Sequence, residues 1–390
     1  MSDSLSLHDT LFAAVRKANP EEDPRRQRVF VWAVVGLLLE KTISLTALAL
    51  VIVSPAKAQS RVRRLRRFLA NPRVCVRAYY DQLIRQALAH WTGQRLHLVL
   101  DTTTLAGRLV LIRLSLVYRG RAVPLVWQVY ERKSVSLPFK AYQSILAHAR
   151  TLLPDACEMV LLGDRGFRTT QLMRWCTRQA HPWHFRLRLK ANQLVLLASG
   201  EERALGSLGL KPGRVGFLQG VSLGKKRYGP IAIAMAWAEQ PNAEAWYIAT
   251  DETAAHQTLA EYGLRMDIEQ EFRDDKSGGF QLEECQLDDA ESVSRLLLVM
   301  SVACLHLVSL GTFVVESQQR TSVDAHWSRG LSYFQIGWRF LRRAIYLDRA
   351  LGSLFRLSPE PDPAPVPLPR ARRQRPLWTE WSVALMARAA

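Results

Sequence analysis

From residue 11 to about residue 90, leucine, alanine and valine recur at helical spacing with few strand signals, so the pattern predicts packed helices. The longest apolar stretch, residues 29–53, carries Glu40 and Lys41 in its middle, with Ser44 and Thr46 close behind. Charge at that depth is costly in lipid, so two packed helices are expected there and no membrane span. The character changes at Arg95. The runs LHLVLDTTTL, LVLIRLSLVYRG and VPLVWQVYE are β-rich and punctuated by Gly107, Gly120 and Pro124, which predicts three consecutive antiparallel strands. A helix (FKAYQSILAHARTLL), a buried strand ending in a turn (EMVLLGDRGF) and a second helix (TTQLMRWCTRQA) follow. That order predicts a mixed sheet covered by helices, an α/β layer architecture.

After His184 the pattern returns to strands, in HFRLRLKANQLVLL, GRVGFLQGVSL, GPIAIAMAWA and AWYIATD, and a second, smaller inserted sheet is expected. A polar helix is then predicted from near Thr253 to the stop at Gly278 and Gly279. The apolar helical region from 290 to about 315 must be core. The proline- and arginine-rich stretch 359–375 should be extended and poorly packed. These shifts divide the chain into a helical region (1–92), an α/β core (93–288) interrupted by a β-strand insertion at about 185–250, C-terminal helices (289–357) and a tail (358–390).

Lysine and arginine outnumber aspartate and glutamate 53 to 35, a net charge of +18, so a polyanionic partner is the first expectation, either nucleic acid or an acidic membrane surface. The segment RVRRLRRFLANPRVCVR brings Arg61, Arg63, Arg64, Arg66, Arg67, Arg73 and Arg77 around Leu65, Phe68 and Leu69. Docking the apolar residues turns the arginines outward, and with no intervening acids this helix is expected to touch DNA; a solvated face is the plain alternative. The start, MSDSLSLHDT, lacks the basic and apolar segments of a signal peptide, so a cytoplasmic location is expected. Five scattered cysteines without a CxxC pair read as reduced thiols, and neither they nor His181 and His184 form a zinc set.

In YGLRMDIEQEFRDDK, Tyr262, Arg265, Glu269 and Lys276 lie at offsets of three, seven and fourteen, within roughly a 60° arc of one helix. A carboxylate among two cations and a phenol suits a metal ion held beside a phosphate, although Arg265 and Glu269 are also an ordinary surface pair. Asp101 follows HLVL and Asp164 follows MVLLG, so both are expected at strand ends. Singly, each reads as a turn or capping residue. Together with Glu269 they can converge on divalent cations, and hard carboxylate oxygens suit Mg²⁺ or Mn²⁺. No Walker or dinucleotide-binding glycine pattern and no nucleophile elbow occurs, which argues against nucleotide-dependent and triad chemistry.

Asp101 in LVLDTTTL, Asp164 in LLGDRGF and the Y-x2-R-x3-E-x6-K run Tyr262, Arg265, Glu269, Lys276 resemble the DDE motifs of insertion-sequence transposases of the IS-four family. The resemblance spans about residues 96–310. It implies an RNase H-like core in which Asp101, Asp164 and Glu269 hold the metal, two Mg²⁺ or Mn²⁺ ions. It implies cleavage at inverted-repeat transposon ends to leave a 3′-OH that, in some members, forms a hairpin before strand transfer. Arg265, Lys276 and Tyr262 would contact phosphates. Trp246 stands where some relatives stack a tryptophan on a flipped base, a strand-core tryptophan being the alternative. Arg186, Arg188 and Lys190 alternate along one strand and are candidates for the DNA path, as Arg63, Arg64, Arg66 and Arg67 are for the N-terminal region read as a DNA-binding domain. The implied partners are double-stranded DNA and a second copy in the synaptic complex, with no membrane. Met266 departs from the tryptophan many relatives carry. Asp267 and Glu271 face away from the signature side. A DNA-binding derivative without catalysis and a structure-specific nuclease are the alternatives.

Overall fold

The structure is a computed structural model that describes residues 3–105, 108–178, 180–240, 242–347, 355–365 and 379–380. Five helices open the chain: α1 (Asp3–Ala18), α2 (Pro24–Glu40), α3 (Leu45–Val51), α4 (Ala58–Leu69) and α5 (Val76–Ala87). Asp23 starts α2 by accepting the Arg25 amide at 2.7 Å, with Pro24 in the first turn, where its missing N–H costs nothing. Helices α2 and α3 meet at 100°, and residues 30–38, Leu48 and Ala49 are buried, so the apolar stretch 29–53 forms the two packed helices expected. In α4, Leu65, Phe68 and Leu69 are buried while Arg63, Arg64, Arg66 and Arg67 are exposed, as the spacing predicted.

The sheet starts with two antiparallel hairpin pairings, β1 (Arg95–Leu105) to β2 (Leu109–Tyr118) to β3 (Arg121–Glu131). Helix α6 (Phe139–Arg150) returns the chain to β4 (Glu158–Gly163), parallel to β1, and α7 (Thr170–Thr177) leads to β5 (Trp183–Arg188), parallel to β4. The inserted strands are β6 (Leu194–Leu196), β7 (Glu202–Ala204), β8 (Arg214–Leu223), β9 (Tyr228–Trp237) and β10 (Trp246–Thr250). They do not build the separate sheet expected from the sequence. β10 pairs with the free edge of β5 at Ile248↔Arg188 and Ala249↔Leu187, giving one continuous sheet in the order β3-β2-β1-β4-β5-β10-β9-β8-β6-β7. A short β11 (Thr379–Glu380) adds to β8. Alternation along a strand fixes which face is buried and leaves the partner open.

The polar helix expected in one piece is broken. It runs as α8 (His256–Gly263), a step at Leu264 and Arg265, α9 (Met266–Arg273), and a widened π-helical turn, Asp274–Gly278, before Gly279. The 27-residue α10 (Ala290–Glu316) is long and apolar enough to cross a membrane, but 94% of its most apolar window is buried inside the protein. Helix α11 (Tyr333–Tyr346) crosses it closely: Gly311 faces the Tyr333 backbone and Gly337 the Leu307 carbonyl, where neither site has room for a Cβ. The terminal helical regions share one core. Trp338 Nε1 donates to the Leu38 carbonyl at 2.8 Å, and Arg295 donates to the Leu69 and Val74 carbonyls at 3.0 and 3.2 Å.

The tail departs from expectation at its start. Just before it, Phe355 and Leu357 are buried and Trp91 Nε1 donates to the Leu357 carbonyl, and within it Asp362 accepts from Arg329 and Tyr333. Residues 366–378 and 381–390 lie outside the described residues.

Candidate active site

Parallel pairing sets two aspartates side by side. Leu100 is opposite Gly163 in the β1–β4 register, so Asp101 and Asp164, the next residue on each strand, emerge together at the carboxyl end of β4. Asp101 is not at the end of its strand, as expected, but in the middle. Thr102, Thr103 and Thr104 carry β1 onward against Ile112, Leu111 and Val110, since β-branched residues favour the extended hairpin. Gly163 is required here: a Cβ would come within 2.8 Å of the Leu187 side chain and 3.2 Å of Phe167. Asp164 opens a short 3₁₀ turn (Arg165–Phe167), yet its side chain does not cap that turn, and its buried Oδ1 has no hydrogen-bond partner among the described residues.

The third carboxylate arrives on α9. Arg265, at the step between α8 and α9, donates through Nη1 to Asp101 Oδ2 at 3.3 Å and through Nη2 to Glu269 Oε1 at 2.7 Å, and so ties helix to strand. Burial raises the Asp101 carboxyl from its ordinary value to about 6; the Thr102 amide, at 2.7 Å, and Arg265 oppose the rise, while Asp164 and Glu269 add to it. Two acids thus share one guanidinium, and Asp164 is close enough to Asp101 to raise its carboxyl. Glu269 is 43% exposed, the open side of the cluster.

The helix break changes the expected stripe. Tyr262 is 2% exposed and its ring meets Trp246 edge to face at 5.1 Å, with Trp246 half-buried on β10. The buried Tyr262 hydroxyl lies beside the Arg265 guanidinium and has no other hydrogen-bond partner among the described residues. Lys276 is half-buried in the π-helical turn. The expected stripe was drawn on one straight helix; the chain instead steps at Leu264 and Arg265 and widens at Asp274–Gly278, yet the Tyr262 hydroxyl stays beside Arg265.

A family model described as "Transposase DDE domain" matches residues 89–306, more than half of the chain. The chain belongs to this transposase family. The matched span contains Asp101, Asp164 and Glu269. A cryo-EM structure of the piggyBac transposase synaptic complex with hairpin DNA is similar over 82% of this chain and 71% of that one, at 13% identity and a TM-score of 0.46. No curated protein matches the chain. The protein is therefore a DDE transposase, an enzyme of DNA transposition, and such enzymes work with divalent metal ions.

The transposase buries one residue expected on the DNA path. Arg186 is 2% exposed and bonded to Glu261, Glu252 and the Thr250 hydroxyl. It alternates with Arg188 and Lys190 as expected, but α8 covers that face at Arg186. Arg188 is bonded to Glu244 at 2.9 Å, and only Lys190 is exposed. Arg186 belongs to a network at the opposite end of the strands from Asp101. There Arg95 bonds Glu158, Glu252 and Glu261, and His184 bonds Asp251 at 2.8 Å and Glu158 at 3.1 Å. Glu158, His184 and Glu252 are close enough to hold a metal, but Arg95 and Arg186 already balance their charge.

His184 carries a pH dependence. The Asp251 hydrogen bond raises its pKa above the ordinary 6.5, burial opposing. The folded state therefore favours the imidazolium, and its contribution is full below the unfolded value and lost as pH rises through the folded one. Wild-type melting temperature should fall as pH rises from about 6.5, more steeply than in His184→Gln; parallel profiles would remove His184 from the account.

Sequence reasoning missed Arg113. It lies opposite Asp101 on β2, is fully buried, and donates to Glu271 at 2.6 Å and Asp275 at 2.5 Å, clamping α9 and the π-helical turn onto the sheet. The available signal was a lone charge in the apolar run LVLIRLSLVY, which must find buried acids.

Proposed function

We propose that this transposase is of the IS-four type: it binds inverted-repeat ends, cleaves them to leave a 3′-OH and joins that end to target DNA. The observation that carries the reading is the convergence of Asp101 and Asp164 on adjacent parallel strands with Glu269 tied to Asp101 through Arg265. The strand order β3-β2-β1-β4-β5, with three antiparallel strands and then two parallel ones, supports an RNase H-like core inside the longer sheet.

The residues suit a divalent cation. Asp164 Oδ1 is buried and without a hydrogen-bond partner among the described residues, the donors are all hard carboxylate oxygens, and one arginine is shared by Asp101 and Glu269. Asp101, Asp164 and Glu269 would hold Mg²⁺ or Mn²⁺, two ions in this reading. A cation held there would supply Lewis-acid stabilisation of charge on the reacting phosphate oxygens. Arg265 holds the carboxylates together in the free protein and is placed to turn to a DNA phosphate when they ligate metal. The Tyr262 hydroxyl, beside Arg265, would add a donor toward the same phosphate. Lys276 would contact the same backbone, and Trp246 would have to leave Tyr262 to stack on a base. Arg63, Arg64, Arg66 and Arg67 on α4 give the N-terminal helices (1–92) an exposed basic face for duplex contact, and Lys190 adds a second point. A homodimer in the synaptic complex follows from the need to join two ends. Action on DNA is in keeping with a cytoplasmic, nucleoid-associated protein.

The test is incubation of the protein with DNA carrying the element's ends, with Mg²⁺ and with EDTA. Nicks bearing a 3′-OH followed by joined products in Mg²⁺, and neither in EDTA, are expected. Binding without cleavage would support the non-catalytic alternative, and cleavage without joining the nuclease.

A further inference from the structure

The C-terminal helix presents a second basic surface outside the proposed active site. On α11, Tyr333, Phe334, Trp338, Leu341 and Ala344 are buried, whereas Arg339, Arg342, Arg343 and Tyr346 are exposed on one side. Lys41 joins them from the end of α2, its ammonium 4.0 Å from the centre of the Trp338 ring. Burial lowers the Lys41 pKa, and the charges of Arg342 and Arg339 lower it further. Among the described residues no carboxylate forms an ion pair with any of these four cations. Like charges gathered without a counter-ion repel, which is costly unless a polyanion settles on them.

An aromatic tip stands beside this stripe. Trp327 is 99% exposed, yet its loop is braced. Asp324, itself buried, accepts from Arg320 at 3.0 Å, from the Gly330 amide at 3.0 Å and from His326, while Arg320 also holds the His326 and Trp327 carbonyls at 2.9 and 3.0 Å. Arg339 fastens the loop to α11 through the Val323 carbonyl at 3.2 Å. A held loop that leaves its tryptophan wholly in water is built to offer that ring to a partner.

We propose that α11, Lys41 and the Trp327 loop form a further duplex-binding face, in which the cations hold backbone phosphates and Trp327 lies against the sugars and base edges of a groove. DNA is favoured over an acidic membrane because the chain is a transposase. The proposal rests on that assignment only for the choice of polyanion, and it does not depend on which residues cleave.

The test measures affinity for a duplex of arbitrary sequence across salt concentrations. In Arg339→Gln/Arg342→Gln/Arg343→Gln, the slope of log affinity on log salt should fall by about 2–3, with a loss of about tenfold or more at low salt. Trp327→Ala should weaken binding with the slope nearly kept. Arg342→Gln/Arg343→Gln, which keeps the Arg339 bond to the Val323 carbonyl, should hold its melting temperature and still lower the slope by about 2, which separates lost binding from lost fold. Removing Lys225, Lys226 and Arg227, exposed at the β8–β9 turn, takes away the same charge elsewhere and should change the slope less. An unchanged slope in the α11 variant, or an equal change in the turn variant, would overturn the proposal. So would loss of binding to phosphatidylserine vesicles with duplex binding intact. Cleavage of a short end duplex by the α11 variant should persist in Mg²⁺, so failure of this surface and failure of the catalytic reading give different results.

Discussion

Arg113→Met is expected to cost about 3–5 kcal/mol of stability, measured by urea denaturation. The wild-type guanidinium is the only cation bonded to Glu271 and Asp275 among the described residues, and all three side chains are buried. Burial pushes the Glu271 carboxyl up and Arg113 pulls it down; without Arg113 two buried carboxylates face each other unpaired. Replacing all three with apolar residues of similar size should recover most of the loss, because it is the orphaned charges that are costly. A loss under about 1 kcal/mol would mean that water reaches the carboxylates, as at exposed pairs. Since the clamp sets α9 on the sheet, Arg113→Lys should retain more cleavage than Arg113→Met once both are assayed folded.

Asp164→Asn is expected to slow cleavage at least about a thousandfold, or ~4 kcal/mol in barrier, while leaving the fold intact. The wild-type side chain does not cap the turn it opens and its Oδ1 has no partner among the described residues, so the amide removes no hydrogen bond that the fold uses. Removing one charge from a cluster of acids should leave melting temperature unchanged or raise it. Loss of stability in step with activity would reassign Asp164 to a structural role, and retained cleavage would remove it from the site.

Much of this was legible in the chain. The three opening strands, α6, β4, α7 and the docked face of α4 follow from local period and turn residues, which act over a few positions. What was lost depends on distant partners. Nothing in HFRLRLK shows that β5 offers its second edge to β10, or that α8 covers Arg186 and leaves Lys190 outside. The four-residue signature marked the right segment, but its geometry was drawn on one straight helix, whereas Gly263 and the π-helical turn redirect it. Arg265 and Glu269 stay together because they are four residues apart across the first turn of α9, while the Tyr262 ring packs on Trp246 and its hydroxyl stays beside Arg265. The Arg113 clamp spans 158 residues to Glu271, a pairing that only the β2–α9 contact creates.

The central claim, that Asp101, Asp164 and Glu269 hold the catalytic cation, is tested most directly by loading Fe²⁺ in place of Mg²⁺ and mapping where locally generated radicals cut the polypeptide. Cuts near residues 101, 164 and 265–269, suppressed by excess Mg²⁺ and lost in Glu269→Gln, are expected. Cuts gathered instead around Glu158, His184 and Glu252, at the other end of the strands, would contradict it.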